Sequence, residues 1–179
     1  MLKNILKICA AGIAALSSAC DDGPASIDAA PRSQAIDSTF THVVTAGPLL
    51  LEIIGQPFAM ERGVFLNLLA KMLEDAVNHN PPLRYTFDQR ATPNPNYRTV
   101  IVFNPPRNLD PHELCGGGGQ PAESGGDKLT VMAVFCNRQT VMAAVQGWVK
   151  NTKGVDDPRF RQLIGQVGRS LYAPAPDPR

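Results

Sequence analysis

The chain lacks the dense clusters of basic residues that bind nucleic acid. Its 17 Lys and Arg nearly balance 16 Asp and Glu, which gives a formal net charge of +1. Proteins that neutralise many phosphates need a basic patch or stripe. The basic residues are also too scattered along the sequence to indicate binding to anionic lipid. The sequence therefore predicts no nucleic-acid partner and no electrostatic attraction to a membrane.

Motifs that carry chemistry are also missing. The glycine run at residues 116–119 does not lead into the Gly-Lys-Ser/Thr of a phosphate loop. The chain contains neither a Gly-x-Ser-x-Gly elbow nor a Cys-x-x-Cys pair. The densest polar cluster is Asp110, His112, Glu113 and Cys115, whose spacing matches no zinc pattern. We therefore expect no catalytic residue, no bound metal and no cofactor.

No apolar stretch is long enough to cross a membrane. The longest near the N-terminus, residues 8–16, is about half of the ~20 residues that a span needs. It follows Lys3 and Lys7 and ends at small residues up to Ala19. A positive start, a short apolar middle and small residues before the cut are the plan of a secretory signal. We expect residues 1–19 to be a signal peptide.

Cys20 follows the small residues Ser17, Ser18 and Ala19 directly. This arrangement, over residues 1–20, resembles the lipobox of bacterial lipoproteins. In that family the cysteine thiol receives a diacylglyceryl group, and cleavage leaves the acylated cysteine as the first residue. The resemblance implies a lipid anchor at Cys20 in the cell envelope, facing the periplasm, with the choice of inner or outer membrane open. An ordinary signal peptide cut after Ala19 is the alternative, and it leaves a soluble periplasmic protein.

The four cysteines sort by position. Cys9 leaves with the signal peptide and Cys20 is the expected lipid site, so Cys115 and Cys136 remain as a pair. In an oxidising compartment such a pair is expected to form a disulfide. Closing a loop of this length stabilises the fold by ~3 kcal/mol in the chain-entropy model. Two reduced buried thiols and a redox-active pair are the alternatives.

Four segments follow one another along the chain. After the signal peptide, residues 20–39 are small, polar and proline-containing, which is typical of a flexible tether. Residues 40–172 are expected to form one α+β domain. Residues 173–179 are an extended, proline-rich tail. Removing residues 1–19 removes two lysines and no acid, so fifteen basic residues then face sixteen acidic ones.

The hydrophobic pattern of the domain predicts the element order β-α-β-β-β-β-α. Helices are expected from Pro57 to the Asn80-Pro81-Pro82 break and from Asp157 to Leu171. Strands are expected at residues 49–54, 83–87, 97–103, 129–136 and 140–149, the last with a helix as the alternative. We expect a mainly antiparallel sheet of about five strands with both helices on one face.

This element order resembles small envelope domains of lipoproteins and the core of curli-secretion-type proteins. The stretches FNPPRNLDPHELC and VMAVFCN resemble uncharacterised small proteobacterial secreted proteins. Neither resemblance implies an activity, because fold does not determine function.

Two functional hypotheses follow from these observations. The first is a non-enzymatic lipoprotein bound to the membrane through Cys20, which contacts other envelope proteins. The second is a soluble periplasmic enzyme or small-ligand binder with a site at the Cys115 loop. The remaining polar or aromatic residues of note are interpreted as solvated, capping or packing groups: His42, His79, His112, Trp148, Arg98, Arg159 and Arg161.

Overall fold

A computed structural model describes residues 23–120 and 127–175. The strands are β1 (Ala25–Ala30), β2 (Leu49–Ile54), β3 (Tyr85–Thr86), β4 (Tyr97–Phe103), β5 (Lys128–Asn137) and β6 (Thr140–Lys150). The helices are α1 (Ile36–Ala46), α2 (Arg62–Ala76), α3 (Pro111–Cys115) and α4 (Pro158–Leu171), and a 3₁₀ turn covers Gln89–Ala91. The strands form one sheet in the order β1-β6-β5-β4-β2-β3.

The sheet is mixed, with antiparallel pairing in its larger part. The pairs β1/β6, β6/β5 and β5/β4 are antiparallel, whereas β4/β2 and β2/β3 are parallel. The parallel pair β2/β4 follows from α2, since parallel neighbours need a crossover connection. The expected α+β fold with a mainly antiparallel sheet is confirmed in outline. The strand at residues 140–149 is also confirmed.

Both faces of the central strands β4 and β5 are buried, which explains their continuous apolar sequences. On one face Ile101 and Phe135 belong to the main core with residues of α1, α2 and α4. On the other face Val102 and Val134 belong to a smaller core with Leu114 of α3. A strand that is covered on both sides needs apolar residues at every position.

The number and placement of the helices differ from the prediction of two helices on one face. Three helices, α1, α2 and α4, cover one face, and α3 covers the other. The five-residue α3 was too short for a periodic hydrophobic pattern to reveal its position. The helix α1 lay within the segment that the sequence analysis assigned largely to a tether.

Most of the expected tether at residues 20–39 belongs to the folded domain. Strand β1 pairs with β6, and α1 buries Ile36, Phe40, Val43 and Val44. The small residues of β1 are compatible with an edge strand, which needs backbone pairing more than apolar side chains. The signal peptide, Cys9 and Cys20 lie outside the described residues, as do residues 176–179 of the expected tail.

Helices α2 and α4 begin at carboxylate caps. The Glu61 carboxylate accepts hydrogen bonds from the backbone N–H groups of Gly63 and Val64, at 2.8 and 2.7 Å, and these bonds lower its pKa. Helix α2 therefore begins at Arg62 and not at Pro57. The preceding loop is held by Gln56, whose amide donates to the carbonyls of Phe58 and Met60. A side-chain acceptor at this position satisfies N–H groups that the helix leaves unpaired.

Close packing of α4 on β6 depends on the absence of a side chain at Gly147. A Cβ there would lie 2.7 Å from Val167 Cγ2 and 2.8 Å from Leu163 Cδ1. We therefore expect Gly147→Ala to lower the free energy of unfolding by about 1–3 kcal/mol, the usual cost of overpacking a core. Urea denaturation at neutral pH measures this change.

Gly154→Ala is the matched control, because nothing lies within 4 Å of a Cβ at Gly154. Its effect should stay within about 0.5 kcal/mol. Equal unfolding midpoints for the two variants would show that α4 packs on β6 less tightly than described.

Candidate functional site

One end of the sheet collects the groups that are most relevant to function. We call it the Trp148 end: β1 and β5 begin there, and β2, β4 and β6 end there. The chain enters this end through Gly23, which lies so close to β6 that a Cβ would be 2.5 Å from the Trp148 carbonyl oxygen. The first described residues are therefore packed against the end of β6.

Trp148 lies half-buried on the sheet face that α3 partly covers. Its neighbours in register are Thr130 on β5 and Ala25 on β1. The ammonium group of Lys128 lies 4.9 Å from the centre of the Trp148 ring, which is a cation–π distance. Ile27 on the same face is 54% exposed. Part of this face is thus open to solvent and carries both apolar and cationic groups.

Three of the four lysines that follow Cys20 lie at the Trp148 end. Lys128 and Lys150 are directly opposite each other on β5 and β6, and Lys153 follows three residues after Lys150. The fourth, Lys71, lies on α2 and pairs with Asp75 at 2.9 Å. Sequence reasoning missed this cluster because Lys128 and Lys150 are far apart along the chain. The register of the β5/β6 hairpin would have revealed it.

A groove of about 480 Å³ opens between these lysines and the loop after β2. Pro57 and Phe58 line one wall, and Lys128 and Lys153 line the other. Phe58 is fixed from behind by an edge-on contact with Phe160, with ring centres 5.0 Å apart. The groove therefore has a rigid apolar wall and a wall with two cations.

The carboxylates beside this groove are largely matched by arginines. Asp157 caps α4 and has its pKa lowered to about 2, first by the Arg159 side chain and then by backbone N–H groups of Arg159 and Lys153. Asp156 pairs with Arg161 at 2.8 Å. These contacts confirm Arg161 as an exposed charge and show that Arg159 is half-exposed and held by Asp157.

Two charges in the groove have no such partner. Among the described residues, neither the Lys153 ammonium nor the Asp127 carboxylate has a hydrogen bond or an ion pair. Lys128 is held only by its contact with the Trp148 ring. The groove thus offers two cations and one anion to a ligand.

The second polar cluster of the sequence analysis, at residues 110–115, is used structurally. The disulfide between Cys115 and Cys136 is present with a Cα–Cα distance of 5.5 Å, as predicted. The Asp110 carboxylate caps α3 by accepting from the His112 N–H at 2.9 Å. His112 and Glu113 point away from the buried Cys115 and are exposed. Within residues 23–120 and 127–175, no three His, Cys, Asp or Glu side chains are grouped so that they could hold a metal.

Arg98 holds α3 to the sheet, so its interpretation as a surface charge was wrong. Only 15% of its side chain is exposed. It donates to the carbonyls of Cys115 at 2.5 Å and Arg138 at 3.2 Å, and it pairs with Glu52 at 3.4 Å. Arg98 also lies opposite Cys136 in register. The arginine and the disulfide therefore fix the same short helix from adjacent strands.

The histidines contribute no reactive group that the geometry singles out. His79 Nδ1 donates to the Pro81 carbonyl at 2.9 Å, which leaves Nε2 as the acceptor for Thr41 at 3.1 Å. His42 and His112 are exposed. These positions agree with the interpretation of all three as solvated or packing residues.

A chain of buried hydroxyl groups joins α4 to the sheet. The Tyr172 hydroxyl lies 2.5 Å from both the Tyr85 hydroxyl and Thr99 Oγ1. Burial raises the pKa of Tyr172 to about 12 and raises the pKa of Tyr85 well above its ordinary value. Neutral phenols in such a chain are suited to stability and not to proton transfer near neutral pH.

Comparisons with known proteins identify no family. No protein-family model and no curated protein matches the chain. Among solved structures, the chain is similar to the dodecamer of a PelC variant from Paraburkholderia phytofirmans, with a TM-score of 0.47 and 12% identity. The match covers 83% of this chain and 98% of that one. Among the described helices, none is long and apolar enough to span a bilayer.

The disulfide should contribute measurably to stability. Replacing Cys115 and Cys136 together by serine is expected to lower the free energy of unfolding by about 3 kcal/mol, because the unfolded chain gains freedom. Wild-type protein unfolded in the presence of a thiol reductant should match the double variant in urea titrations. A double variant as stable as the oxidised wild type would contradict this role.

The buried tyrosines predict a loss of stability at high pH. Because the pKa of Tyr172 is raised in the folded state to about 12, its stabilising effect is complete below about pH 10, the value in an unfolded chain. The effect is then lost as the pH rises from 10 toward 12. Urea midpoints should fall less steeply over this range in Tyr172→Phe than in wild type. Parallel curves would show that Tyr172 ionises equally easily in both states.

Proposed function

We propose that this protein is a bacterial envelope lipoprotein, anchored by acyl chains on Cys20, whose domain acts at the membrane surface as a non-enzymatic structural or interaction module. The signal-like residues 1–19 and the small residues before Cys20 support the anchor. The observation that carries the proposal is the position of β1, which begins at Ala25, five residues after Cys20.

The short connection to β1 limits how far the domain can lie from its anchor. Five extended residues reach at most about 17 Å. An anchor at Cys20 therefore holds the Trp148 end of the sheet close to the bilayer. The half-buried Trp148 ring suits this position, since amphipathic aromatic rings favour the membrane–water interface. The exposed Ile27 lies on the same face.

The geometry of the Cys115 loop supports a non-enzymatic role. The Asp110 carboxylate caps α3, and the Cys115 thiol is consumed by the disulfide. The soluble enzyme or ligand binder therefore loses two members of the cluster that motivated it. Other envelope proteins are the proposed partners of the domain surface that faces away from the bilayer.

The anchor is tested by replacing Cys20 with alanine in a bacterial host. Wild-type protein should incorporate a palmitate analogue and fractionate with membranes, because two or three acyl chains anchor a protein stably. Cys20→Ala should incorporate none. Metabolic labelling followed by membrane fractionation measures both properties.

Cys9→Ala is the matched control, since it changes a cysteine inside the signal peptide that maturation removes. This variant should be labelled like wild type. A wild-type protein that is exported, unlabelled and begins at an unmodified Cys20 would overturn the anchor and support ordinary signal cleavage.

A further inference from the structure

We infer that the groove at the Trp148 end binds the phosphate of an anionic phospholipid headgroup in the membrane that holds the anchor. This inference rests on the proposed function, because the anchor at Cys20 is what brings the groove to the bilayer. The groove is the one defined above, between Phe58 and the side chains of Lys128 and Lys153.

The charges in the groove favour an anionic ligand. Lys128 and Lys153 line the same wall, and among the described residues the Lys153 ammonium has no partner. Lysine binds phosphate oxygens as a compact charge with three donors. Asp127 is the opposing carboxylate in this groove. Asp157 in the adjoining groove is already neutralised by Arg159.

The shape of the groove favours a lipid over a free phosphate ion. Pro57 and Phe58 form an apolar wall opposite the lysines. A phospholipid presents a phosphate next to its glycerol and acyl methylenes, so it can contact the cationic and apolar walls together. Inorganic phosphate gains nothing from Phe58.

The path of the chain brings this ligand within reach. Gly23 packs against the end of β6, and the groove includes Asn151, the first residue after that strand. Only residues 21–24 separate Cys20 from β1. A lipid that neighbours the anchor is therefore presented to the groove at high effective concentration, as in other tethered interactions.

Vesicle binding by the chain from residue 20 onward, with Cys20→Ser, tests the inference without the anchor. This chain keeps every described residue and has no acyl group. Vesicles of phosphatidylglycerol with phosphatidylethanolamine are compared with vesicles of phosphatidylcholine by co-sedimentation. Trp148 is the sole tryptophan, so its emission reports contact at this end of the sheet. We expect binding and a blue shift with the anionic vesicles.

Charge variants then locate the site. Lys153→Ala and Lys128→Ala should each weaken binding to anionic vesicles about fivefold, the typical effect of one lysine near an anionic surface. Asp127→Asn should strengthen it, because it removes the opposing carboxylate. Lys71→Ala is the control and should leave binding unchanged, since Lys71 lies on α2 and pairs with Asp75.

The remaining outcomes separate the possible failures. Equal binding by the Lys153, Lys128 and Lys71 variants would overturn the groove while leaving the anchor at Cys20 intact. Inorganic phosphate that shifts Trp148 emission and displaces the vesicles would overturn the choice of a lipid. Lysine-dependent binding by a protein that proves to be unlabelled at Cys20 would retain the groove and reject the anchor.

Discussion

Burial of both faces of β4 and β5 is the constraint on which the rest of the structure depends. Because neither face of these strands carries enough polar side chains to meet water, each needs a cover. Three helices cover one face. The short α3 covers part of the other and has too few residues to stay there by packing alone. The Cys115–Cys136 disulfide and the hydrogen bond from Arg98 to Cys115 supply the missing attachment.

The pairing of β1 with β6 determines how the domain meets a membrane. Without β1, a chain anchored at Cys20 would swing on about twenty flexible residues. With β1, Gly23 is packed against β6 and the Trp148 end is held near the proposed anchor. The sheet face beside Trp148, which α3 leaves partly open, then becomes the side of the domain with an orientation relative to the bilayer. Fold and proposed function are linked through this one edge strand.

Prediction from sequence succeeded where a local pattern or a simple count was sufficient. The apolar runs at residues 97–103 and 129–136 indicated strands, and both are strands. Cys115 and Cys136 were the two cysteines left for a disulfide. Prediction failed at β1 and α1, because small and polar residues satisfied an edge strand and a half-exposed helix. It also failed for Arg98, whose burial depends on carbonyl groups from Cys115 and Arg138.

The sequence by itself determined the strands of the core, the cysteine pairing and the expected address at Cys20, because each depends on residue types within a short window. Only the tertiary structure decided that Lys128 and Lys153 share a groove with Phe58. These residues come from three separate loops and strand ends. Their proximity depends on the register of β5 with β6 and on the loop that precedes α2, which are long-range pairings that no local pattern encodes.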